Sequence, residues 1–402
     1  MKYNFDKVID RSGTSAEKVE GLKHIWGRTD LIPLWVADMD FATAPFVTDA
    51  IRKRCENEVL GYTGKPDSYY NAIINWVKQR YDLIVTKEVI NFVPGIVPGI
   101  GMAMNCFTQK GDKVMIQPPV YHPFAWVTTR NERTLVINPL RWENGMYRMD
   151  LDAFREQIKG CKLFILCNPH NPGGVVWTEA ELRAIADICY DEKVLVFSDE
   201  IHADLTLPPH THRPFATVSE KARMNSVTFM SPSKAFNMPG LSASHALIFN
   251  EDLRKRFRIY MDAGELDMGH VFAFLSVEAA YSHGTEWLDQ CLAYIQGNID
   301  FVDEFLKKHA PKIKAIRPEA SYLVWLDCRE LELSQKDLNE FFVDKAHLAL
   351  NDGEMFGKEG IGFMRLNVAS PRCIIEKAMK QLADAYQLYN TSVKNYREIK
   401  IK

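Results

Sequence analysis

Short apolar runs alternate with longer amphipathic ones from about residue 90 to residue 250, and few architectures accept that order. The runs KVMIQ (113–117), TLVIN (134–138), KLFILC (162–167), VLVFS (194–198), SVTFM (226–230) and HALIF (245–249) show almost no polar alternation. Strands of that kind are buried on both faces, as in a mostly parallel sheet covered by helices. Helical patterns over 96–108, 121–131, 151–159 and 178–192 lie before and between them. In the last, Thr178 and Glu181 stand in capping-box relation ahead of Leu182, Ile185, Ala186 and Ile188. The chain is therefore expected to be α/β.

The pattern then changes. Residues 270–310 form one long helical stretch, with a break expected near His283-Gly284. After Pro311 the strand-like segments KIKAIRP, SYLVWLDC and GFMRLNVA are separated by helices, and an amphipathic helix begins near residue 371. This predicts a smaller α+β domain beside a large one. The expected divisions are an N-terminal segment, 1–45, associated with the small domain, a large domain, 46–285, and a small C-terminal domain, 286–402. The polar, basic tail 391–402 reads as a frayed end.

At 402 residues, 47% apolar and 25% charged, the chain is an ordinary globular protein of more than one domain. Its net charge of −3 gives no basic footprint for nucleic acid or for an anionic membrane surface. No apolar run approaches the roughly 18 residues of a membrane span, and MKYNFDKVIDR has no signal-peptide core. Eight cysteines, with no C-x-x-C pair, are too sparse for a disulfide framework. A soluble, reduced, cytoplasmic protein is expected.

Four segments carry chemistry. SPSKAFNMPG (231–240) places Lys234 just after a strand, where an α/β sheet exposes its functional edge. Alone it reads as a solvated loop lysine. VFSDEIHADL puts Asp199 and Glu200 at the end of an apolar strand, where a carboxylate can pair with a ring nitrogen or simply cap a helix. NPHNPGG (168–174) fixes a sharp turn that can direct an amide side chain into a crevice. FVPGIVPGIG (92–101) is a strand, a glycine turn and a helix start, whose N–H groups can cradle a phosphate. No GxGxxG fingerprint is present, which counts against a nicotinamide site. A phosphate, a ring nitrogen facing Asp199 and an aldehyde for Lys234 together describe pyridoxal 5′-phosphate.

PLWVADMDF (33–41), LGYTGKP (60–66), PPVYHPF (118–124), NPHNPGG and SDEIHADL make the chain resemble the fold-type I pyridoxal-phosphate enzymes of the aminotransferase class I/II superfamily. Within it they resemble the cystathionine β-lyase/cystalysin-like C–S lyases. The resemblance spans residues 33–370 and implies the aminotransferase fold. It implies that Lys234 binds the cofactor covalently and then shuttles the proton at substrate Cα, and that Asp199 pairs with the ring nitrogen. Asn171 would bond the phenolic oxygen and Tyr121 would stack on the ring. Gly95, Ile96 and Val97 would bind the phosphate by backbone N–H groups, joined by the hydroxyls of Ser231 and Ser233. Arg365 would clamp the substrate carboxylate, helped by the backbone at Val36 and Ala37. Tyr62 would reach the cofactor of a neighbouring subunit, making a homodimer.

Two positions depart from the wider superfamily. Ser242 stands where many aminotransferases have a phosphate-binding arginine, and His202 stands where aspartate-type enzymes have a tyrosine. The C–S lyase subgroup tolerates both, and a contact of His202 with the cofactor stays open. His210 and His212 have no carboxylate or cysteine at ligand spacing, so no metal is expected. Trp35 is expected to pack with access to the site, and Glu200 to be structural. The implied activity is β-elimination of cysteine S-conjugates such as L-cystathionine to a thiol, pyruvate and ammonia. The alternative is an aminotransferase built on the same residues. A fold kept without turnover is disfavoured because Lys234, Asp199 and Arg365 are all present.

Overall fold

The computed structural model describes residues 2–401, with side chains through residue 391. The chain divides into two compact units: Ala42–Gln290 with Glu319–Ser321, and Met1–Phe41 with Cys291–Pro318 and Tyr322–Lys402.

In the larger unit the apolar runs become β1 (Ile90–Val93), β2 (Lys113–Ile116), β3 (Thr134–Ile137), β4 (Cys161–Cys167), β5 (Leu195–Asp199), β6 (Ser226–Met230) and β7 (Ser244–Leu247). They form one sheet in the order β1-β7-β6-β5-β4-β2-β3. From β6 through β3 neighbouring strands are parallel, whereas β7 runs antiparallel to both β6 and β1. Two reversals restore direction, so β1 points the same way as β6. The C-terminal ends of β1, β2, β4, β5 and β6 therefore lie along one edge of the sheet.

Burial explains most of the apolar runs. β6 is buried throughout and β4 everywhere except Lys162. TLVIN corrects the expectation of strands buried on both faces. As β3 it is an edge strand paired only with β2, and Ile137 is 44% exposed. Helices Ile96–Phe107, Pro123–Arg130 and Glu179–Asp191 follow β1, β2 and β4. The last begins with the expected capping box: the Thr178 hydroxyl accepts from Glu181 N–H, and the Glu181 carboxylate accepts from Thr178 N–H.

The short piece Glu319–Ser321 belongs to this unit through backbone bonds. Glu319 and Ala320 N–H both donate to Gly174 O, Leu207 N–H donates to Glu319 O, and Ser321 N–H donates to Leu205 O. It thus ties the turn after β4 to the turn after β5.

In the smaller unit, β8 (Lys314–Ile316), β9 (Leu323–Asp327), β10 (Asn351–Asp352) and β11 (Phe363–Asn367) form an antiparallel sheet in the order β8-β9-β11-β10. The N-terminal segment joins this unit where Ile32–Pro33 pairs in parallel with Leu348–Ala349. Asn367 N–H then donates to Leu34 O. The C-terminal helix is Arg372–Ile401. Its backbone continues through the tail expected to fray, whose side chains from 392 onward lie outside the described residues.

The long helical stretch is broken where expected, into Val271–His283 and Thr285–His309. A Cβ on Gly284 would fall 2.2 Å from Ala280 O and 2.3 Å from the Phe236 ring, so only glycine fits this junction. Gly284→Ala is expected to cost roughly 1–3 kcal/mol through overpacking, read as a lower urea midpoint with an unchanged m-value.

Candidate active site

Asp199 ends β5 and is buried. Its Oδ1 accepts the Ile201 N–H at 3.1 Å, which fixes the carboxylate at the strand end. Burial pushes the Asp199 carboxyl up to about 7; the neighbouring Glu200 charge adds to the rise, while the Ile201 N–H and the Lys234 charge oppose it. Lys234 is half-buried in the loop after β6, the strand beside β5. That loop is tightly braced. The Ser231 hydroxyl donates to Ala243 O at 2.7 Å and accepts from Ser233 N–H at 3.1 Å, and Met238 N–H donates to Ser233 O. Ser242 closes the short helical turn Pro239–Leu241 in the left-handed conformation, at φ +47°.

At the end of β1, Gly95 holds φ +115°, a value few side-chain-bearing residues adopt. Its own N–H turns back onto Val93 O at 2.9 Å. The helix then starts at Ile96, and first-turn N–H groups have no intrahelical acceptor. Pro98 brings no N–H, and Gly99 N–H bonds Gly95 O, so Ile96 and Val97 are the donors this helix start presents.

At the end of β4, the Cys167 thiol accepts the Asn171 N–H at 3.3 Å, and Asn171 is buried. His170 N–H to Val175 O and Gly174 N–H to His170 O close the turn. Gly173 leaves no room for a side chain, since a Cβ there would meet the Tyr147 ring at 2.9 Å. Burial pushes the His170 imidazole down to about 3, keeping it neutral. After β2, Tyr121 is half-buried against the core of the sheet, with its ring edge-on to Phe124 at 5.8 Å.

The turn after Asp199 holds groups whose place the sequence pattern left open or missed. His202 is buried where the helical turn Ala203–Leu205 begins. Glu200 is buried and accepts from Ser198 Oγ and Phe215 N–H at 2.8 Å, and contacts His212 Nε2 at 2.7 Å. His212 is thus engaged with Glu200, and His210 lies 3.7 Å from Glu319. Asp204 takes the Trp76 indole N–H at 3.0 Å and the Tyr81 hydroxyl. Tyr62 is 97% exposed, in a loop that also exposes Val59 and Leu60.

The smaller unit places Arg365 in the middle of β11, buried. Its Nη2 donates to Asn351 Oδ1 at 2.5 Å and to Trp35 O at 3.2 Å, and the guanidinium lies 4.8 Å from the Phe356 ring centroid. The carbonyls of Val36 and Ala37 are taken by Asn367 Nδ2 and the Tyr322 hydroxyl. Trp35 packs edge-on to Trp26 and donates to Lys18 O. Sequence reasoning missed the charge cluster beneath this segment. Lys18, fully buried, and Arg11 bracket Asp38 and Asp40, with contacts of 2.6–3.5 Å. Two acids within four residues, in VADMD, were the available signal.

The fold and this set of strand-end residues define the larger class. The chain belongs to the aminotransferase class I and II family, whose sequence pattern matches residues 29–382. It is 38% identical to the cystathionine β-lyase PatB of Bacillus subtilis strain 168, over 95% of this chain and 99% of that protein. Cystalysin from Treponema denticola, solved with pyridoxal 5′-phosphate, superposes with a TM-score of 0.93 at 33% identity, covering 96% of this chain and 99% of cystalysin. A pyridoxal-phosphate-bound protein from Clostridium difficile 630, provisionally called an aminotransferase, superposes at 0.94 with 40% identity, covering 96% and 100%.

Because burial raises the Asp199 carboxyl from 3.8 to about 7, the ligand-free folded chain binds a proton that the unfolded chain gives up. Its contribution is complete below about pH 4 and fades as pH rises through 7. The ligand-free chain is expected to lose stability from pH 5 to pH 8 in urea titrations, and Asp199→Asn to flatten that part of the profile.

Proposed function

We propose that this chain is a pyridoxal-5′-phosphate-dependent C–S β-lyase. It splits L-cystathionine or a related cysteine S-conjugate, with water, into a thiol, pyruvate and ammonia. The observation that carries this reading is the burial of Asp199 at the end of β5, where burial pushes its carboxyl up, beside β6 whose following loop carries Lys234. A buried carboxylate is costly unless a cation meets it, and a protonated pyridine nitrogen is such a cation. The Ile96 and Val97 N–H groups suit a phosphate, and buried Asn171 suits a phenolic oxygen. Gly95 N–H and the Ser231 hydroxyl are engaged with Val93 O and Ala243 O. Ile96, Val97 and the Ser233 hydroxyl are accordingly the phosphate donors in this reading.

When bound, the cofactor supplies an electron sink that stabilises negative charge at substrate Cα. The rest is the work of the chain. Lys234 would hold the cofactor, and its Nζ would take the proton from substrate Cα. Asp199 would keep the ring nitrogen protonated, Tyr121 would stack on the ring, and His202, buried at the start of the turn after β5, would line the same pocket. Arg365 binds the substrate carboxylate, and the segment at Val36 and Ala37 lies against the same group. That would hold the Cα–H bond perpendicular to the ring, where its electrons overlap the π system.

The functional unit is a homodimer in which Tyr62 reaches the neighbouring subunit's cofactor. The exposed apolar side chains of Val59, Leu60 and Tyr62 support it, as such a cluster favours burial against another chain. Eight free thiols suit a reducing, cytoplasmic setting. No helix among the described residues is long and apolar enough to cross a membrane.

The aminotransferase alternative is kept alive by the name given to the Clostridium difficile relative. The deciding experiment adds L-cystathionine to the cofactor-loaded protein and follows absorbance, pyruvate and free thiol. A visible band that Lys234→Ala abolishes, with pyruvate and thiol released in equal amounts, is expected. Turnover only after a 2-oxo acid is supplied would make the chain an aminotransferase. Arg365→Lys, which loses the guanidinium fork, is expected to raise KM for the amino acid roughly tenfold or more, with a smaller change in kcat.

A further inference from the structure

The reading above leaves one buried Glu200–His212 contact without a part. Glu200 follows Asp199 directly, and successive side chains at a strand end face opposite ways. Ser198 Oγ and Phe215 N–H meet one oxygen of Glu200 at 2.8 Å, and His212 Nε2 meets the other at 2.7 Å. Ser198 and Glu200 share a face, so the glutamate is anchored from its own strand and from the segment 212–215. Backbone bonds tie the residue down further, from Glu200 N–H to Phe229 O and from Ala203 N–H to Glu200 O.

The tautomer of His212 follows from its surroundings. Nδ1 is buried with no hydrogen-bond partner among the described residues, so a proton there would be an unpaired N–H in the interior. A neutral imidazole here therefore carries its proton on Nε2, donated to Glu200.

We propose that Glu200 is a positioning residue for the proton shared between Asp199 and the cofactor's ring nitrogen, its charge drawing that proton toward the aspartate. The proposal rests on the reading that Asp199 faces the ring nitrogen. Glu200 adjoins Asp199, and a like charge disfavours the nearer anion most. Other ionisable groups frame the pair. Lys234 opposes the effect as a cation, and the Cys167 thiol lies beside Asp199 in register on β4. The Tyr81 ring lies 5.5 Å from the His212 ring, and behind it stand Asp204 and Arg80. Asp199 tuned in this way sets how strongly the ring draws electrons from Cα.

The test is the ¹⁵N resonance of ring-labelled pyridoxal 5′-phosphate bound to the full chain. Glu200→Gln keeps the shape and can still accept from Ser198 and Phe215. Its resonance is expected to move toward the pyridinium limit, reflecting a roughly tenfold change in the proton's partition, or about one unit of relative acidity. A merely structural glutamate would leave it in place. An unmoved resonance, or a shift toward neutral pyridine, overturns the proposal. Should Glu200→Gln fail to fold, His212→Lys carries the same test by setting a cation against the carboxylate. It must shift the resonance in the same direction, and no shift overturns the proposal equally. A wild-type chain that binds no labelled cofactor, or whose visible band survives Lys234→Ala, overturns the functional reading itself and this inference with it.

Discussion

The candidate site depends on strand direction. Parallel strands deliver every C-terminal end to one edge, and the antiparallel β7 preserves that by reversing between β6 and β1. Because β7 is antiparallel to both neighbours, the β1 end, with Gly95 and the helix start after it, lies at the same edge as Asp199 and the loop that carries Lys234. A buried sheet also leaves Asp199 at this edge out of contact with solvent. The low polarity that lifts the Asp199 carboxyl there strengthens any opposite charge placed against it.

Much of the fold was legible because each interior strand is a run with one possible fate. KLFILC and SVTFM have nowhere to go but a two-sided interior, and Thr178 with Glu181 marks a helix start by chemistry that needs no tertiary help. TLVIN misled because an edge strand with one half-covered face can be as apolar as an interior one. The direction of β7 was not written in its composition either, since HALIF would serve in a parallel or an antiparallel pair. Glu319–Ser321 joins the larger unit through main-chain bonds and the Glu319 carboxylate, which accepts the Val176 N–H, and the backbone bonds leave no mark on side-chain pattern.

At the site, the sequence located residues better than it apportioned their hydrogen bonds. Strand ends and turn chemistry put Lys234, Asp199 and the NPHNPGG turn at strand ends of one sheet, and the family resemblance singled out Asn171 within that turn. That Gly95 and Ser231 spend their donors on nearby carbonyls depends on loop geometry that spacing does not encode. Glu200 was read as structural and His212 as too isolated for a metal site. Their meeting joins positions twelve residues apart across a loop, a contact no local periodicity reports.

The bracket of Arg11 and Lys18 around Asp38 and Asp40 changes what the beginning of the chain is for. Those first residues form no strand of the main sheets, yet they act as built-in counter-ions for the segment that follows Trp35. A protease cut near residue 20 would leave every strand of both sheets intact. It would still strip the positive charge from two partly buried carboxylates, and their repulsion would be felt first at Val36 and Ala37. In this architecture the first twenty residues serve as an electrostatic fastening for backbone that lies further along the chain.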